Sequence, residues 1–340
     1  LPILQNLLLE IKKGRLLITG TDLEIELKTN VEVSMEAEGR VTVPARKLLD
    51  ICKEIPERAE INFALDQDRL ELRSGRFRST LSTLPAEDFP TFDDSEAGLI
   101  VEADAKEFKL LLDKTSFAMA HQDVRFFLNG MLIESGQNFL RAVATDGHRL
   151  ALSNIQQAGL NEKEVQVIVP RKAVLELQRL LPELAGSVKI EFSQSNLKVL
   201  SENYTFATKL VDGKFPDYQR VIPKEGSKIV MAERDKLRQA LNRTSILSNE
   251  KFRGIRLNLT NAQLQLSANN PEQEEAEESV SVNYEGAELQ IGFNVSYLQD
   301  VLSVIDNKKV KITLHDPNSS AILEDPEADQ FLYVVMPMKL

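Results

Sequence analysis

Val43-Pro44-Ala45-Arg46-Lys47 recurs 126 residues further along the chain as Val169-Pro170-Arg171-Lys172. After both copies, and a third time near the C-terminal end, apolar residues are spaced i, i+3, i+7, which is the buried stripe of a short amphipathic helix. The three stripes are Leu48, Ile51 and Ile55, then Val174, Leu177 and Leu181, then Leu298, Val301 and Ile305. Pro44 and Pro170 suit the first turn of such a helix, and Asn294 in the third copy is a good N-cap. The chain is therefore predicted to contain one structural unit three times.

A second repeat, with a period of 124 residues, places strand-like segments at equivalent points of the three copies. These segments begin at Asn6, Gly130 and Gly254. In the last two copies a helix precedes the strand, since Leu112–Phe117 resembles Leu241–Ile246. Beyond the stripe helices, apolar and polar residues alternate with a period of two, which predicts half-buried antiparallel strands. The alternating segments are Glu60–Phe63, Arg69–Leu72, Val188–Phe192, Leu197–Leu200, Lys309–Thr313 and Ala321–Leu323.

Each unit is therefore expected to belong to the α+β class, with helices packed on antiparallel sheets. The expected domains are residues 1–100, 101–222 and 223–340. The first copy lacks the opening helix, and the spacing in the other two copies implies that about 20–25 residues are missing before position 1. We expect the sequence to be an N-terminally truncated version of a longer protein.

Length and composition set limits on the class of protein. A single core stops growing at roughly 250–300 residues, so 340 residues predict two or three domains. Apolar residues make up 42% and charged residues 27%, which are globular proportions, and no apolar run approaches the ~20 residues of a membrane span. The one cysteine, Cys52, excludes an internal disulfide and a cysteine-built zinc site. A cytoplasmic location is therefore expected.

The net charge of −11 comes from 52 acidic and 41 basic residues, but the two signs are segregated along the chain. Between Ala232 and Arg256 there are seven basic and three acidic residues, whereas Glu272–Glu288 contains seven glutamates and no base. Further cations lie on the polar side of the first two stripe helices: Arg46, Lys47, Lys53, Arg171, Lys172 and Arg179. Such a protein can be acidic overall and still present one positive face. The alternative is that these charges are merely solvated.

Motifs for catalysis and cofactors are absent from the sequence. It has no glycine-rich phosphate loop, and its three histidines do not have the spacing of a metal site, so neither a cofactor nor a metal is expected. Asp146 next to His148 suggests a general base. However, Asp146 occupies the repeat position of Asp22 and Asn270, which favours a turn residue followed by a permissive Gly147. A binding scaffold without an active site is the preferred interpretation; a hydrolase using Asp146 and His148, or a scaffold for protein partners alone, remains open.

Several longer strings of residues resemble the beta sliding clamp family of bacterial DNA polymerase III. They are Phe89-Pro90, Met119–Arg125, Ala144–Leu150, Lys214–Tyr218, Leu247–Gly254, Asn270–Glu278 and Tyr333–Leu340. The resemblance covers the whole chain and differs from the family in lacking the opening helix and strand. It implies a three-domain processivity subunit of the polymerase holoenzyme, without its own active site, that dimerises head to tail into a ring around double-stranded DNA. The implied partners are the replicative polymerase, the clamp loader, translesion polymerases and repair proteins, which dock through short peptides; no membrane partner is implied.

The resemblance also implies three sets of site residues. The DNA-contacting set is Arg46, Gln122, Arg125, Arg171, Lys172, Lys251, Arg253, Asn294 and Tyr297, where cations reaching phosphates would give sequence-independent attraction. The partner-peptide set is Leu128, Thr145, Gly147, His148, Arg149, Leu150, Pro216, Arg220, Val221, Ser320, Val334, Met336, Pro337, Met338 and Leu340. The dimer-interface set is Lys47, Arg76, Arg78, Leu81, Ile246, Leu247, Glu274, Glu275, Glu277 and Glu278.

Some residues have two open interpretations. Phe126, Phe127 and Phe252 could touch bases near a primer end or pack in a core. The segment Val334–Leu340 could be a final core strand, although Pro337 makes continued central pairing unfavourable. Asn318 falls where the family often has an apolar residue.

Overall fold

A computed structural model describes residues 1–92, 98–156, 164–224 and 226–340. These residues form two compact units. Unit 1 comprises Leu1–Ala105 with Leu184–Leu210, and unit 2 comprises Lys106–Glu183 with Val211–Leu340. The expected middle domain, residues 101–222, thus contributes to both units. The described residues combine short helices with antiparallel strands in each unit, which confirms the predicted α+β class.

The secondary structure follows the three predicted copies in turn. The first stretch contains β1 Asn6–Lys12, β2 Arg15–Thr21, β3 Ile25–Glu32, β4 Gly39–Pro44, α1 Ala45–Glu54, β5 Asn62–Asp66, β6 Arg69–Ser74, β7 Phe77–Ser82 and β8 Leu99–Asp104. The second contains α2 Ala105–Asp113, β9 Gly130–Gly136, β10 Phe139–Thr145, β11 Arg149–Gln156, β12 Val165–Pro170, α3 Arg171–Leu180, β13 Ser187–Phe192, β14 Asn196–Leu200 and β15 Tyr204–Lys209. The third contains β16 Lys228–Glu233, α4 Arg234–Thr244, β17 Gly254–Thr260, β18 Gln263–Asn269, β19 Glu275–Asn283, β20 Leu289–Asn294, α5 Val295–Val304, β21 Lys309–Leu314, β22 Ala321–Asp325 and β23 Ala328–Val335.

Unit 1 contains an eight-stranded antiparallel sheet and a smaller three-stranded sheet. The larger has the order β4-β1-β2-β3-β15-β14-β13-β8 and the smaller the order β5-β6-β7. Strand β3 joins β15 with Leu27 opposite Phe206. The stripe residue Leu48 of α1 is buried in a core that both sheets supply, together with Leu9, Leu16, Val43, Leu70, Leu72 and Leu81.

Unit 2 is built on one twelve-stranded antiparallel sheet. Its order is β12-β9-β10-β11-β23-β22-β21-β16-β19-β18-β17-β20. The ladder between β11 and β23, with Leu150 opposite Val334, joins strands of the second copy to strands of the third. None of the described helices is both long enough and apolar enough to cross a membrane.

The stripe helices are shorter than the i, i+7 pattern suggests. Each ends just before the last stripe residue, so that Ile55, Leu181 and Ile305 are C-cap residues. Leu181 and Ile305 are nevertheless buried, each with 2% of its surface exposed. Pro44 and Pro170 are the N-cap residues of α1 and α3.

The predicted cap of the third stripe helix is confirmed. The Asn294 side-chain oxygen accepts a hydrogen bond of 2.9 Å from the Ser296 backbone N–H, which satisfies one free donor at the start of α5. The Asn294 amide also donates a long hydrogen bond, 3.4 Å, to the Phe252 carbonyl.

Replacing Asn294 by Ala should lower the free energy of unfolding by about 1 kcal/mol, because α5 loses its cap. Urea unfolding followed by circular dichroism measures this change. The control is Asn261→Ala, an exposed turn residue. Equal stability of the two variants would mean that the cap contributes nothing.

Candidate functional site

Three strands of unit 2 lie side by side and bring together members of the predicted partner-peptide set; the surface above them is called the groove from here on, and the buried residues beneath it its floor. In the sheet register Thr145 of β10 faces Leu150 of β11, and Leu150 faces Val334 of β23. All three side chains are buried, as is Leu128. Leu150 and Val334 belong to one apolar cluster with Leu132, Val143, Ile168, Phe215 and Tyr218. These members of the predicted partner-peptide set therefore build the floor and are closed to water for most of their surface.

One wall of the groove is the segment 211–222, which lies against the same cluster. Phe215 and Tyr218 are buried there, while Pro216, Arg220 and Val221 of the predicted set are exposed. The Val221 side chain leaves 41% of its surface free, which is a large share for a valine. Arg220 forms an ion pair of 2.7 Å with Asp217, a neighbour in sequence on the same turn.

Asp146 is the turn residue that the repeat predicts, not a free base. Its Oδ1 accepts hydrogen bonds from the backbone N–H groups of His148 (2.9 Å) and Arg149 (3.1 Å), and its Oδ2 accepts one from the Arg149 guanidinium (3.1 Å). Asp22 holds the equivalent turn in unit 1 through the same two kinds of backbone bond. Gly147 has the expected positive φ of +90°. A carboxylate engaged in this way is poorly placed to accept a proton from a substrate.

Arg149 is a fixed structural element next to the groove. It pairs with Asp146 and with Asp300 of α5, and its guanidinium donates a hydrogen bond of 2.7 Å to the Phe117 carbonyl. The guanidinium carbon also lies 4.6 Å from the centre of the Tyr297 ring. The His148 ring stacks on the Tyr297 ring, with 6.4 Å between the two ring centres. Tyr297, predicted with the DNA-contacting set, is thus in contact with members of the partner-peptide set.

The C-terminal tail runs on from β23 along a second side of the groove. The Met336 N–H donates to the His148 carbonyl (2.9 Å) and the Met338 N–H to the Gly292 carbonyl (2.8 Å). Strand β23 ends at Val335, as Pro337 predicts, so the tail is not a core strand. Met336 is 36% and Leu340 54% exposed, and flexible apolar side chains of this kind suit a surface that accepts several ligands. Ser320, a further member of the set, is half-buried just before β22.

Two glycines make room for this tail. A Cβ added at Gly292 would lie 2.6 Å from the Met338 carbonyl oxygen, and one at Gly254 would collide with the Leu340 side chain. The tail beyond Pro337 also borders an open cleft of about 460 Å³ together with Phe252 and Arg256.

The predicted DNA-contacting residues are on helix N-termini and on two loops. Arg46 is exposed on α1, where it pairs with Asp50 at 3.3 Å, and Lys172 is exposed on α3. Arg171 is half-buried and donates to the Met119 carbonyl at 3.3 Å. Gln122 and Arg253 both have positive φ values, +55° and +50°, so the two loops hold them in a backbone conformation unusual for these residues.

Arg125 is bound within its own loop. Its guanidinium donates two hydrogen bonds to Asp123, of 3.0 and 2.9 Å, and one to the Asp146 carbonyl of 3.2 Å. These hydrogen bonds lower the pKa of the Asp123 carboxyl to about 2. On the same loop the Phe126 side chain is 73% exposed, and Phe252 on the second loop is 55% exposed, with Lys251 Nζ 5.3 Å from its ring centre. Core packing is therefore excluded for these two phenylalanines, whereas Phe127 packs against the apolar cluster that contains Leu150 and Val334.

The predicted interface set is divided between the units. In unit 1, Lys47, Arg76 and Arg78 are exposed, and Arg78 pairs with Glu71 at 2.8 Å. Leu81 of the same set packs in the unit 1 core and is only 6% exposed.

In unit 2 the interface set is largely accessible. Ile246 is 75% exposed on the turn after α4, while Leu247 is half-buried. Glu274, Glu275 and Glu277 are exposed. Glu278 is held by two hydrogen bonds from Arg243, which lower the pKa of its carboxyl.

Sequence reasoning missed a polar group beneath the groove wall. Glu134, Arg141 and Tyr218 are bonded to one another although they lie far apart in the chain. Only Tyr218 had a sequence signal, since it ends the quoted string Lys214–Tyr218. Among the described residues, no cluster of three or more His, Cys, Asp or Glu side chains could hold a metal ion.

Comparison with known proteins gives matches along the whole chain. Models of the DNA polymerase III beta subunit match in chain order: the N-terminal domain over residues 1–93, the central domain over 102–217 and the C-terminal domain over 219–339. The Beta sliding clamp of Pseudomonas putida is 53% identical over 341 residues, which cover 100% of this chain and 93% of that protein. A crystal structure of the DNA polymerase sliding clamp from Pseudomonas aeruginosa with ligand superimposes with a TM-score of 0.98 at 51% identity, covering 100% of this chain and 93% of that one. A second clamp structure from that organism, bound to griselimycin, gives a TM-score of 0.96 at 51% identity, with coverage of 100% and 92%.

Replacing Gly292 by Ala should displace the C-terminal tail, because the new methyl group would lie 2.6 Å from the Met338 carbonyl oxygen. Hydrogen exchange followed by mass spectrometry should then show at least about tenfold faster exchange at the Met338 amide, which loses its bond to Gly292. Gly39→Ala is the matched control, since a Cβ there would meet no atom within 4 Å. Unchanged exchange in the Gly292 variant would show that the tail does not depend on this close approach.

Proposed function

The chain belongs to the family of DNA polymerase III beta subunits, the beta sliding clamps, and we propose that the three residue sets described above do the work of a clamp in it. A beta sliding clamp is a processivity factor without catalytic activity of its own: it forms a dimer, binds DNA and tethers the polymerase and other proteins. The observation that carries the proposal is the match of all three family domains, in order, from residue 1 to residue 339. Because clamps act on chromosomal DNA in bacteria, we place the chain in the cytoplasm.

DNA is held by enclosure in this proposal, so no single contact has to be strong. Cations that reach phosphates attract any sequence and are weakened by salt, whereas contacts to base edges would stop the protein at preferred sites. Lys251 on its exposed loop and Arg46 and Lys172 on helix N-termini fit such transient contacts. Arg46, Arg125 and Arg171 are already bonded within the chain. For them a phosphate would have to share the guanidinium with Asp50, with Asp123 and with the Met119 carbonyl, respectively.

The dimer joint is proposed to use one open strand edge from each unit. In the three-stranded sheet of unit 1, β7 is an edge strand. In unit 2, β19 pairs with β16 only at Val282 and Asn283. The earlier residues of β19 pair with β18 on one side, and their other edge is open. Exposed strand edges of this kind can extend a sheet into another chain. Arg76 and Arg78 flank the first edge and glutamates the second, so the two edges have complementary charge.

The apolar contact should supply most of the affinity of this joint. An exposed ion pair contributes about 0–1 kcal/mol, while burying an isoleucine side chain contributes roughly 1.5–3 kcal/mol. Ile246 has most of its surface free for this purpose. Each joint uses different surfaces on the two subunits. A ring of two subunits therefore closes only if the rotation between them also brings the second pair of surfaces together.

Partner proteins are proposed to dock short peptides in the groove of unit 2. Val221 on the wall and the flexible Met336 side chain give exposed apolar surface above the buried floor. The exposed His148 ring and Arg220 offer polar contacts at the margin. The relative from Pseudomonas aeruginosa is bound to griselimycin in its crystal structure, and we propose that this groove is the corresponding site here.

Sliding by enclosure predicts that the assembled dimer stays on circular DNA and leaves when that DNA is cut. The protein is loaded by a clamp loader onto nicked circular plasmid, separated from free protein by gel filtration and then treated with a restriction enzyme. Retention before the cut and release after it support the proposal. Equal loss from circular and linear DNA would contradict it.

Replacing Ile246 by Glu should weaken the dimer by at least about 30-fold, the effect of losing about 2 kcal/mol at a central apolar contact. Sedimentation velocity across a range of concentrations measures the dissociation constant. Ile229→Glu is the matched control, because Ile229 is also exposed, at 51%, but lies outside the proposed joint. An intact dimer in the Ile246 variant would exclude this joint.

A further inference from the structure

A row of polar side chains interrupts the apolar sheet face beneath the groove wall. In the sheet register Arg141 of β10 lies opposite Glu134 of β9, and Glu134 lies opposite Gln166 of β12. The next row along the same face is apolar and includes Val143 and Leu132. Glu134 is buried, with 7% of its surface exposed, so its carboxylate requires hydrogen-bond partners.

Tyr218 supplies the bond that connects this row to the wall. Its hydroxyl donates to Glu134 Oε2 at 2.6 Å and accepts a hydrogen bond from Arg141 Nη1 at 2.7 Å. Arg141 also lies 3.5 Å from the Glu134 carboxylate, and the Gln166 amide donates to Oε1 of the same group. Burial, and then the bond to Glu134, raise the pKa of Tyr218, so the hydroxyl keeps the proton that it donates.

Tyr218 is linked to Val221 of the wall by a single turn of the chain, so its position determines that of the wall. The Val221 N–H donates to the Tyr218 carbonyl at 3.1 Å, which closes a single turn of 3₁₀ helix over Tyr218–Arg220. On the other side of Tyr218, the Phe215 ring holds the segment through dispersion contacts only. Such contacts have little directional preference, whereas the paired hydrogen bonds of Tyr218 fix one orientation.

We infer that Glu134, Arg141 and Tyr218 are positioning residues that set the height and angle of the Arg220–Val221 wall and thereby the affinity of the groove for its ligands. The inference rests on the proposed docking function of that groove. The three residues do not touch the ligand themselves; they act through the wall. A phenylalanine at position 218 would fill the same space but would leave the wall free to shift and the Glu134 carboxylate one donor short.

The test compares two buried tyrosines that each donate one hydrogen bond. Tyr218→Phe removes the bond to Glu134, and Tyr284→Phe removes a bond of 2.7 Å to the Ala287 carbonyl in the loop between β19 and β20. Griselimycin binding to the full chain is measured by isothermal titration calorimetry, and stability by urea unfolding. We expect Tyr218→Phe to bind griselimycin at least fivefold more weakly, and Tyr284→Phe to bind it as the unsubstituted chain does even where its stability falls.

A milder variant keeps the inference testable if Tyr218→Phe does not fold. Arg141→Lys keeps a positive charge beside Glu134 but loses the rigid guanidinium whose Nη1 contacts both Glu134 and Tyr218. It should weaken griselimycin binding about threefold, with the dimer unchanged by sedimentation. Unchanged affinity in the variants that fold would overturn the inference while leaving the groove assignment intact. If the unsubstituted chain itself does not bind griselimycin, the groove assignment fails and the positioning role fails with it.

Discussion

The main-chain ladder between β11 and β23 is the interaction on which the binding surface of unit 2 depends. It runs from Arg149 opposite Val335 to Ser153 opposite Phe331 and joins the second and third copies in one sheet. Without it, Leu150 and Val334 would not share a floor, and the tail after Val335 would have no fixed starting point. Arg149 reinforces the ladder from the side, because it ties the Asp146 turn to Asp300 on α5. The groove is therefore a product of how two copies are joined, since neither copy alone supplies both halves of its floor.

Much of this fold can be read from the sequence because the signals are local and occur three times. Apolar spacing located the stripe helices, alternation located β5, β6, β13, β14, β21 and β22, and the shared position of Asp22 and Asp146 identified a turn rather than a catalytic base. The prediction for Asn294 as a cap was also correct. In each of these cases the physical cause lies within a few residues of the signal. Repetition then separates a genuine pattern from chance.

Features that depend on contacts distant in sequence were not predictable in the same way. Alternation in β7 shows that Leu81 and its neighbours point to opposite faces, but not which face the core covers. Tyr297 was grouped with the DNA-contacting residues on the family resemblance, whereas packing places it against His148 and Arg149. The hydrogen bond between Glu134 and Tyr218 joins residues 84 positions apart, and nothing in the sequence near either residue indicates the other as its partner. The three-dimensional structure is needed to bring such groups together.

The turn that follows β2 in unit 1 and β10 in unit 2 shows how copies of one ancestor can diverge through a single side chain. Leu23 and Gly147 both adopt positive φ, at +78° and +90°, but the glycine has no side chain to fill the space beside it. The Arg125 guanidinium occupies that space, so near to Gly147 that a Cβ would come within 3.0 Å of its nitrogen. A leucine in the second copy would expel the arginine and break the link between the Asp123 loop and the Asp146 turn. The glycine thus lets the second copy fasten two loops together at a point where the first copy carries a leucine, and repeats of one scaffold present different surfaces.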